Sequence, residues 1–443
     1  MFCKIGIFLL VAKLSEGLVL PRQAASNAPE QIRISLGKDP NSMVIMWTTM
    51  QALNNPLTVP QVVYGVNPFY LKSSSNASIN KFVYSGGQQY IYTATLQNLT
   101  PATRYYYQAG STEGWSLTWN FTTFPSGNNF PYTVAIFGDL GNKDGASYPF
   151  LKQGAANNQF DIIFHIGDFA YNLFTNDGKV GDEWMREMQE IMATKPYMVI
   201  AGNHEWESDN MNFTHYRNRF SVPINNAYND SQFYSFNVGP VHYVGVSSEY
   251  YFYENVVPLV NAQYQWLVND LKTADANRQN QPWIIAGQHR PYYSSQKDDS
   301  CCNEVVENYL DYFMKDGNST VPGLEKPYID NSVDMVFWGH VHSYERTYPV
   351  ANMTAYKDGN PYHNPKAPVY ICTGGAGNQE GHTGFTHPPS PWSAQRIDRF
   401  GYTLLHVYNN THLYMEQIDA NNNGTVMDSV WITKDPGFQR NFW

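Results

Sequence analysis

Alternating apolar and polar positions dominate the first part of the chain. Ile32, Ile34 and Leu36 each stand between polar residues, and a turn cluster follows at residues 38–41. A period of two is typical of strands that bury one face, and Lys-Asp-Pro-Asn clusters separate such strands. The pattern therefore predicts an all-β sandwich over residues 31–124.

A second feature of this segment is the placement of its aromatic residues. Trp47 lies early, and the stretch from Leu99 to Tyr105 lies late. That stretch resembles the tyrosine corner of fibronectin type III domains, in which a core Trp comes first and the corner Tyr later. The Pro-Ser-Gly-Asn-Asn cluster at 125–129 then predicts a linker.

The rhythm changes at Tyr132, where short apolar runs begin to alternate with helical spacing. The apolar runs predict buried strands at 134–137, 162–164, 198–201, 283–286 and 333–338. Helical spacing lies at 183–194, 262–274 and 305–315. The alternation predicts an α/β layered domain over 132–433 that ends in a β-rich C-terminal segment, 366–433.

The first residues have the pattern of a signal peptide. Lys4 precedes an apolar run that is too short to span a bilayer, and the small residue Gly17 can end the segment. We therefore expect residues 1–17 to be removed and the protein to be secreted, with a lysosomal location as the alternative. No later stretch predicts a membrane helix.

Sequons and charge fit an extracellular protein. Asn-x-Ser/Thr occurs nine times, so we expect a glycoprotein; the sequons begin at Asn76, Asn98, Asn120, Asn212, Asn229, Asn318, Asn352, Asn409 and Asn423. The formal net charge of −10 argues against nucleic acid or an anionic membrane as a partner. Cys301, Cys302 and Cys372 allow at most one intrachain disulfide, so no disulfide framework is expected.

Each of the five strands predicted in the α/β domain runs into a glycine and then into metal-binding residue types. The seven candidates, in chain order, are Asp139, Asp168, Tyr171, Asn203, His289, His340 and His342. Ligands of open α/β sheets gather beyond the carboxyl ends of strands. Carboxylate, imidazole, phenolate and amide oxygen suit iron, zinc or manganese, and seven donors exceed one tetrahedral site. A carboxylate that bridges two ions would use them all.

The order of these motifs resembles that of the metallophosphoesterases. The chain has Gly-Asp-x-Gly, Gly-Asp-x-x-Tyr, Gly-Asn-His-Glu, a His after the fourth strand and then Gly-His-x-His. The Tyr of the second motif narrows the resemblance to the purple acid phosphatases. A sandwich ahead of the catalytic domain is similar to the larger form of that family.

This resemblance implies a ligand set. It implies iron(III) held by Asp139, Asp168, Tyr171 and His342. It implies a second, divalent ion (zinc, iron(II) or manganese) held by Asp168, Asn203, His289 and His340. Asp168 would bridge the two ions. His204 would contact phosphate and protonate the leaving group, and Glu205 is expected to orient His204.

The activity that the resemblance implies is that of a secreted acid phosphatase. A metal-bound hydroxide would attack the phosphorus of a phosphate monoester. One alternative is a phosphodiesterase or nucleotide pyrophosphatase on the same metal core, and another is a non-catalytic glycoprotein binding module. Redox chemistry or iron carriage is a third. The physiological substrate, the second metal and the oligomeric state stay open.

The chain departs from the resemblance in one place. Plant-type members carry a histidine pair after the fourth motif, whereas residues 295–300 contain none. This leaves a second phosphate-orienting residue unassigned. The glycine-rich turn at 373–377 is a weak phosphate-loop signal, and His382 or His387 beyond it could line the pocket. His165 and His242 are interpreted as core residues.

Overall fold

The computed structural model describes residues 27–207, 213–252, 257–295, 309–386 and 388–440. Several predictions lie outside these ranges: the signal peptide 1–17, the sequon at Asn212, Cys301 and Cys302, and His387. So do most of the stretch 295–300 and the first turn of the helix predicted at 305–315.

The N-terminal unit is the predicted β-sandwich. Its strands are β1 (Glu30–Leu36), β2 (Met43–Thr49), β3 (Gln61–Gly65), β4 (Ser73–Asn76), β5 (Ser78–Tyr84), β6 (Gly87–Leu96), β7 (Arg104–Ser111), β8 (Gly114–Trp115) and β9 (Trp119–Thr122). One sheet has the order β1-β2-β6-β5, and the other has β4-β3-β7-β8 with β9 beside β7. Trp47 is buried and stacks on Tyr92 with ring centroids 5.2 Å apart. The backbone N–H of Thr100 donates to Tyr105 Oη at 3.0 Å, which confirms the tyrosine corner.

The second unit contains all seven helices of the described residues. They are α1 (Tyr148–Ala156), α2 (Lys179–Glu187), α3 (Gln189–Met192), α4 (Thr214–Arg219), α5 (Val257–Ala276), α6 (Tyr309–Asp316) and α7 (Glu325–Asp330), with short 3₁₀ helices at Asn203–Glu205 and Glu249–Tyr251. The helix predicted at 262–274 lies inside α5. The helix predicted at 183–194 is instead divided between α2 and α3, which meet at Met188.

The strands of this unit form two large sheets. The first takes β10 (Tyr132–Phe137), β12 (Ile162–Ile166), β14 (Tyr197–Ile200), β24 (Gly401–Asn409), β25 (His412–Asp419) and β26 (Val426–Thr433). The second takes β15 (Tyr234–Val238), β16 (Val241–Gly245), β17 (Trp283–Gly287), β18 (Met335–Trp338), β19 (Tyr344–Thr347), β22 (Val369–Thr373) and β23 (Ser393–Ile397). The short strands β11 (Leu140–Gly141) and β13 (Phe169–Ala170) pair with each other, as do β20 (Val350–Ala351) and β21 (Thr354–Ala355).

Apolar side chains join the two sheets into one core. The ring centroid of Phe164 on β12 lies 6.1 Å from that of Phe236 on β15 and 6.3 Å from that of Tyr243 on β16. The five strands predicted to end at the site are therefore divided between two facing sheets, three in the first and two in the second. Strands of each group run parallel, so their carboxyl ends point the same way.

The sandwich docks through the outer face of its β1-β2-β6-β5 sheet. The ring centroids of Phe82 and Tyr84 lie 5.0 and 4.7 Å, respectively, from the ring centroid of His215 on α4. Beside them the buried pair Arg219 Nη1 and Asp182 Oδ1, 2.7 Å apart, reaches Gln31 of β1. Edge-on and tilted ring contacts, together with a buried ion pair, thus fix the sandwich against the α/β unit.

Candidate metal centre

The seven predicted ligands lie just beyond the ends of β10, β12, β14, β17 and β18. Four of them have left-handed backbones, with φ of 66° at Asp139, 59° at Asp168, 50° at Tyr171 and 67° at His340. A residue other than glycine pays about 1–2 kcal/mol for this conformation. Such strain persists where the surrounding structure holds it, and it clusters at functional sites.

Glycines next to the ligands let these strand ends approach each other. A Cβ on Gly202 would lie 2.3 Å from Asp168 Oδ1, and a Cβ on Gly339 would lie 2.4 Å from Asp139 Oδ2. Both distances are well inside van der Waals contact. Glycine at positions 202 and 339 is therefore needed for the close packing of these two carboxylates.

Three of the predicted ligands form a first donor group. Tyr171 Oη lies 2.8 Å from His342 Nε2 and 3.5 Å from Asp139 Oδ1, and the last two atoms are 3.4 Å apart. Neighbouring ligands of one octahedral ion with bonds of about 2.1 Å lie roughly 3 Å apart. The three donors therefore fit one ion.

A second donor group lies beside the first. His289 Nε2 is 3.2 Å from Asp168 Oδ2 and 3.0 Å from Asn203 Oδ1. Donor atoms of Asp168, His289 and His340 all lie within 4.8 Å of one another. The structure thus brings together all seven predicted residues, in two groups of nitrogen and oxygen donors that suit transition metals.

Backbone carbonyls orient one imidazole in each group. His289 Nδ1 is 2.9 Å from the carbonyl of Ile166, and His342 Nδ1 is 2.9 Å from the carbonyl of Gly381. Each carbonyl accepts the Nδ1–H, so Nε2 is the nitrogen that faces the other donors. Metal-binding histidines are usually fixed in this way.

Burial and charge shift the pKa values of both groups. Burial opposes ionisation of Asp168, but the charges of His289 and His204 outweigh it and hold the pKa of this carboxyl well below its usual range. Burial lowers the pKa of His289, and Asp168 more than reverses this, raising it to about 10. Burial raises the pKa of Asp139, although His342 partly compensates. The charged form of His289 thus balances the buried carboxylate of Asp168, and a metal ion would take its place.

Tyr171 behaves differently from the acids. Burial, and then the charges of Asp139 and Asp168, raise the pKa of its phenol well above the ordinary value. Among the described residues, the surrounding carboxylates therefore oppose ionisation of this phenol. A highly charged cation at the first donor group would favour ionisation, because it stabilises the phenolate directly.

His204 lies next to both groups without belonging to either. Its Nδ1 is 2.7 Å from Asn172 Oδ1, and its ring centroid is 4.3 Å from that of Tyr171. Its Nε2 lies 4.0 Å from Asp168 Oδ2 and 3.6 Å from Glu380 Oε1. The side chain of His204 is 19% exposed to solvent, so a small molecule bound beside the two donor groups could reach it.

Glu205 does not orient His204, contrary to expectation. Its buried carboxylate accepts the backbone N–H groups of Asp168, Phe169 and Gly202 at 2.8, 2.9 and 2.8 Å. The carboxylate therefore stabilises the turn that carries Asp168. Asn172 is the residue that contacts Nδ1 of His204, and its place directly after Tyr171 is the only signal that could have identified it.

Other predicted polar positions have local partners. Ser295, at the place of the missing histidine pair, donates its hydroxyl to Glu345 at 2.6 Å. His382 pairs with Asp398 at 2.5 Å. His165 is in the core as predicted, but only its Nδ1 is satisfied, 2.7 Å from Tyr197 Oη. Cys372 is a buried free thiol.

Three family models match successive parts of the chain. Residues 29–123 match the family "Purple acid Phosphatase, N-terminal domain", residues 132–344 match "Calcineurin-like phosphoesterase", and residues 367–429 match "Iron/zinc purple acid phosphatase-like protein C". The chain is 40% identical to acid phosphatase type 7 of Danio rerio, over 92% of this chain and 91% of the relative. It is 36% identical to acid phosphatase type 7 of Homo sapiens, over 100% of this chain and 98% of the relative.

More distant relatives extend the likeness to plants. The chain is 29% identical to Fe(3+)-Zn(2+) purple acid phosphatase 12 of Arabidopsis thaliana, over 92% of this chain and 84% of the relative. The solved structure of the purple acid phosphatase PPD1 from yellow lupin superposes with a TM-score of 0.76 and 24% identity, covering 92% of this chain and 75% of that one. This last likeness concerns the fold alone.

Proposed function

The chain belongs to the purple acid phosphatase family, and from that membership we propose that its seven converging donors hold the two metal ions of an acid phosphatase that acts on phosphate monoesters. The family assigns the enzyme class, a binuclear metallophosphoesterase with acid phosphatase activity. The observation that supports the assignment of residues is the meeting of two donor groups at the ends of five strands.

Each of the two donor groups is proposed to hold one metal ion. Iron(III) is assigned to the first group together with Asp168, because phenolate and carboxylate favour a highly charged cation. A divalent ion is assigned to Asn203, His289 and His340 together with Asp168. When bound, such ions neutralise the charge of a phosphate ester and supply a nucleophile below neutral pH.

Protein side chains supply the proton chemistry in this proposal. His204 gives the proton of Nε2 to the oxygen of the departing alcohol, because Nδ1 is bonded to Asn172 and Nε2 points toward the donor groups, 4.0 Å from Asp168 Oδ2. Asn172 accepts the Nδ1–H and holds the imidazole in this orientation. Glu380 lies on the exposed side of His204, with its Oε1 3.6 Å from Nε2.

We also propose that the protein is a secreted glycoprotein with units at 31–124 and 132–433. Six sequon asparagines have exposed side chains, namely Asn76, Asn98, Asn229, Asn318, Asn352 and Asn423. Asn120 and Asn409 are half-buried. Among the helices of the described residues, none is long and apolar enough to cross a membrane. Endoglycosidase treatment of secreted protein, followed by mass measurement, tests this proposal.

A turnover assay tests the proposed reaction. The purified chain is given a phosphate monoester and the matching diester over a range of pH, and its metal content is measured in the same sample. We expect monoester hydrolysis with an optimum below neutral pH and bound iron. Faster turnover of the diester, or full activity of protein that has been stripped of metal, would contradict the proposal.

A further inference from the structure

The segment at the end of β22, residues 373–381, contains the glycine-rich turn and packs against the first donor group; it is called the turn below. Its backbone is bonded into the motif that carries Asp139: Gly138 N–H donates to Thr373 O at 3.0 Å, and Gly141 N–H donates to Gly377 O at 2.9 Å. At its far end the carbonyl of Gly381 accepts from His342. The turn therefore surrounds the proposed iron ligands and is fixed to them at several points.

Asn378 is the polar side chain of this turn that faces the donors. The residue is 4% exposed. Its Nδ2 lies 2.6 Å from Tyr171 Oη and 3.3 Å from the carbonyl of Asp139. Its Oδ1 accepts the backbone N–H of Glu380 at 2.9 Å.

The backbone contact determines which end of the amide meets the phenol. A backbone N–H can only donate, so the atom opposite Glu380 N must be the oxygen. A carbonyl can only accept, so the atom opposite Asp139 O must be the nitrogen. Both constraints place the amide NH₂ of Asn378 against Tyr171 Oη, and a flipped amide would break both hydrogen bonds.

Space for this contact depends on a glycine of the first motif. A Cβ on Gly141 would lie 2.9 Å from the Cα of Asn378 and 3.0 Å from its Cβ. Any larger residue at position 141 would therefore require Asn378 or the motif backbone to shift. The motif glycine thus has a geometric role beyond turning the chain after Asp139.

We propose that Asn378 tunes Tyr171 as an iron ligand by donating a hydrogen bond to its phenolate oxygen. The inference rests on the proposed iron(III) assignment and adds a residue that touches no metal itself. A donor on the phenolate oxygen withdraws electron density, so the phenolate gives less charge to iron. The charge-transfer band then lies at shorter wavelength, and the iron is more easily reduced.

The test replaces the amide with an apolar group of similar size. Asn378→Leu is prepared in the full chain, iron is quantified, and the visible absorption maximum and the iron(III)/iron(II) midpoint potential are recorded. In the iron-loaded variant, we expect the visible absorption maximum to move to longer wavelength and the iron(III)/iron(II) midpoint potential to fall. Asn172→Leu, which alters an amide that contacts His204 rather than Tyr171, is the control and should keep the wild-type maximum.

Further variants separate the possible failures. If Asn378→Leu does not fold, Asn378→Ala removes the same donor without added bulk and should give the same direction of shift. An iron-loaded Asn378 variant with the wild-type absorption maximum and midpoint potential would overturn the role of Asn378. The iron assignment would still stand in that case if the wild type is coloured and Tyr171→Phe is colourless. An iron-loaded wild type without a visible band would overturn both.

Discussion

Asn172 accepts a hydrogen bond from His204, with Oδ1 of the amide 2.7 Å from Nδ1 of the imidazole. This contact determines which imidazole nitrogen faces the metal donors. The pairing joins two adjacent motifs, because Asn172 follows Tyr171 and His204 follows Asn203. One short hydrogen bond thus couples the proposed proton donor to the turn that carries the proposed bridging ligand.

His204→Ala should keep both metals and lose rate. The residue acts on the leaving group, and removing a general acid typically costs about 10²–10⁴-fold in turnover. The loss should be smaller for aryl phosphates, because phenolic leaving groups need less protonation. Steady-state kinetics with an alkyl and an aryl ester check this. Equal losses for both esters would argue against the acid role.

Asn172→Leu should lower kcat and leave KM close to that of wild type. Without the acceptor, the imidazole of His204 loses its fixed orientation, and groups that orient a site residue contribute roughly 10–100-fold. Asn172→Asp keeps an acceptor in the same place and is the matched control, with activity near wild type. Wild-type kcat in the Leu variant would remove the positioning role.

His215 should make the folded protein less stable in acid. Burial, and then the charge of Arg219, lower the pKa of this imidazole to about 3. In the unfolded chain the pKa is near its ordinary value of about 6.5, so the unfolded state binds more protons between these values. The stabilisation is complete above about pH 6.5 and is lost as pH falls toward the folded-state pKa, at about 1.4 kcal/mol per pH unit.

Denaturant unfolding at several pH values tests this prediction. His215→Gln cannot titrate and still offers an acceptor to Arg219 Nε, which lies 3.1 Å from Nδ1 in the wild type. Its unfolding free energy should fall less steeply below pH 6 than that of the wild type. His412→Gln changes an exposed histidine and should keep the wild-type slope. Equal slopes in all three proteins would refute the assignment.

Asp182→Ala should destabilise the junction between sandwich and α/β unit. The variant leaves the fully buried guanidinium of Arg219 without its carboxylate partner, 2.7 Å away. Losing one partner of a buried ion pair costs about 3–5 kcal/mol. Asp330→Ala breaks the exposed pair with Lys326 and should cost under about 1 kcal/mol. Equal destabilisation by the two substitutions, measured by denaturant, would contradict this reading.

The sequence predicted the strands well because their patterns are local. The run 162–164 lies inside β12, and the run 283–286 inside β17. It did not predict that these strands belong to two sheets, since pairing partners far apart in the chain leave no local periodicity. The break between α2 and α3 was missed for a related reason, because apolar spacing continues across Met188.

The seven residues that converge were easier to identify in the sequence than the residues around them. The seven stand in ordered motifs after strands, whereas Asn172 and Asn378 are recognisable only by what they contact. For Glu205, the sequence suggested a contact that the structure does not have. Its place beside His204 in the sequence suggested an orienting contact, but the 3₁₀ turn directs its carboxylate to backbone N–H groups instead.

The metal content of the wild type and of Asp168→Ala decides whether one carboxylate holds two ions. Asp168 is the only residue assigned to both ions, so its loss should empty both groups and abolish phosphatase activity. We predict two ions per wild-type chain, one of them iron, and almost none in folded Asp168→Ala. A folded Asp168→Ala protein that retains both ions, or an active wild type without iron, would contradict the account.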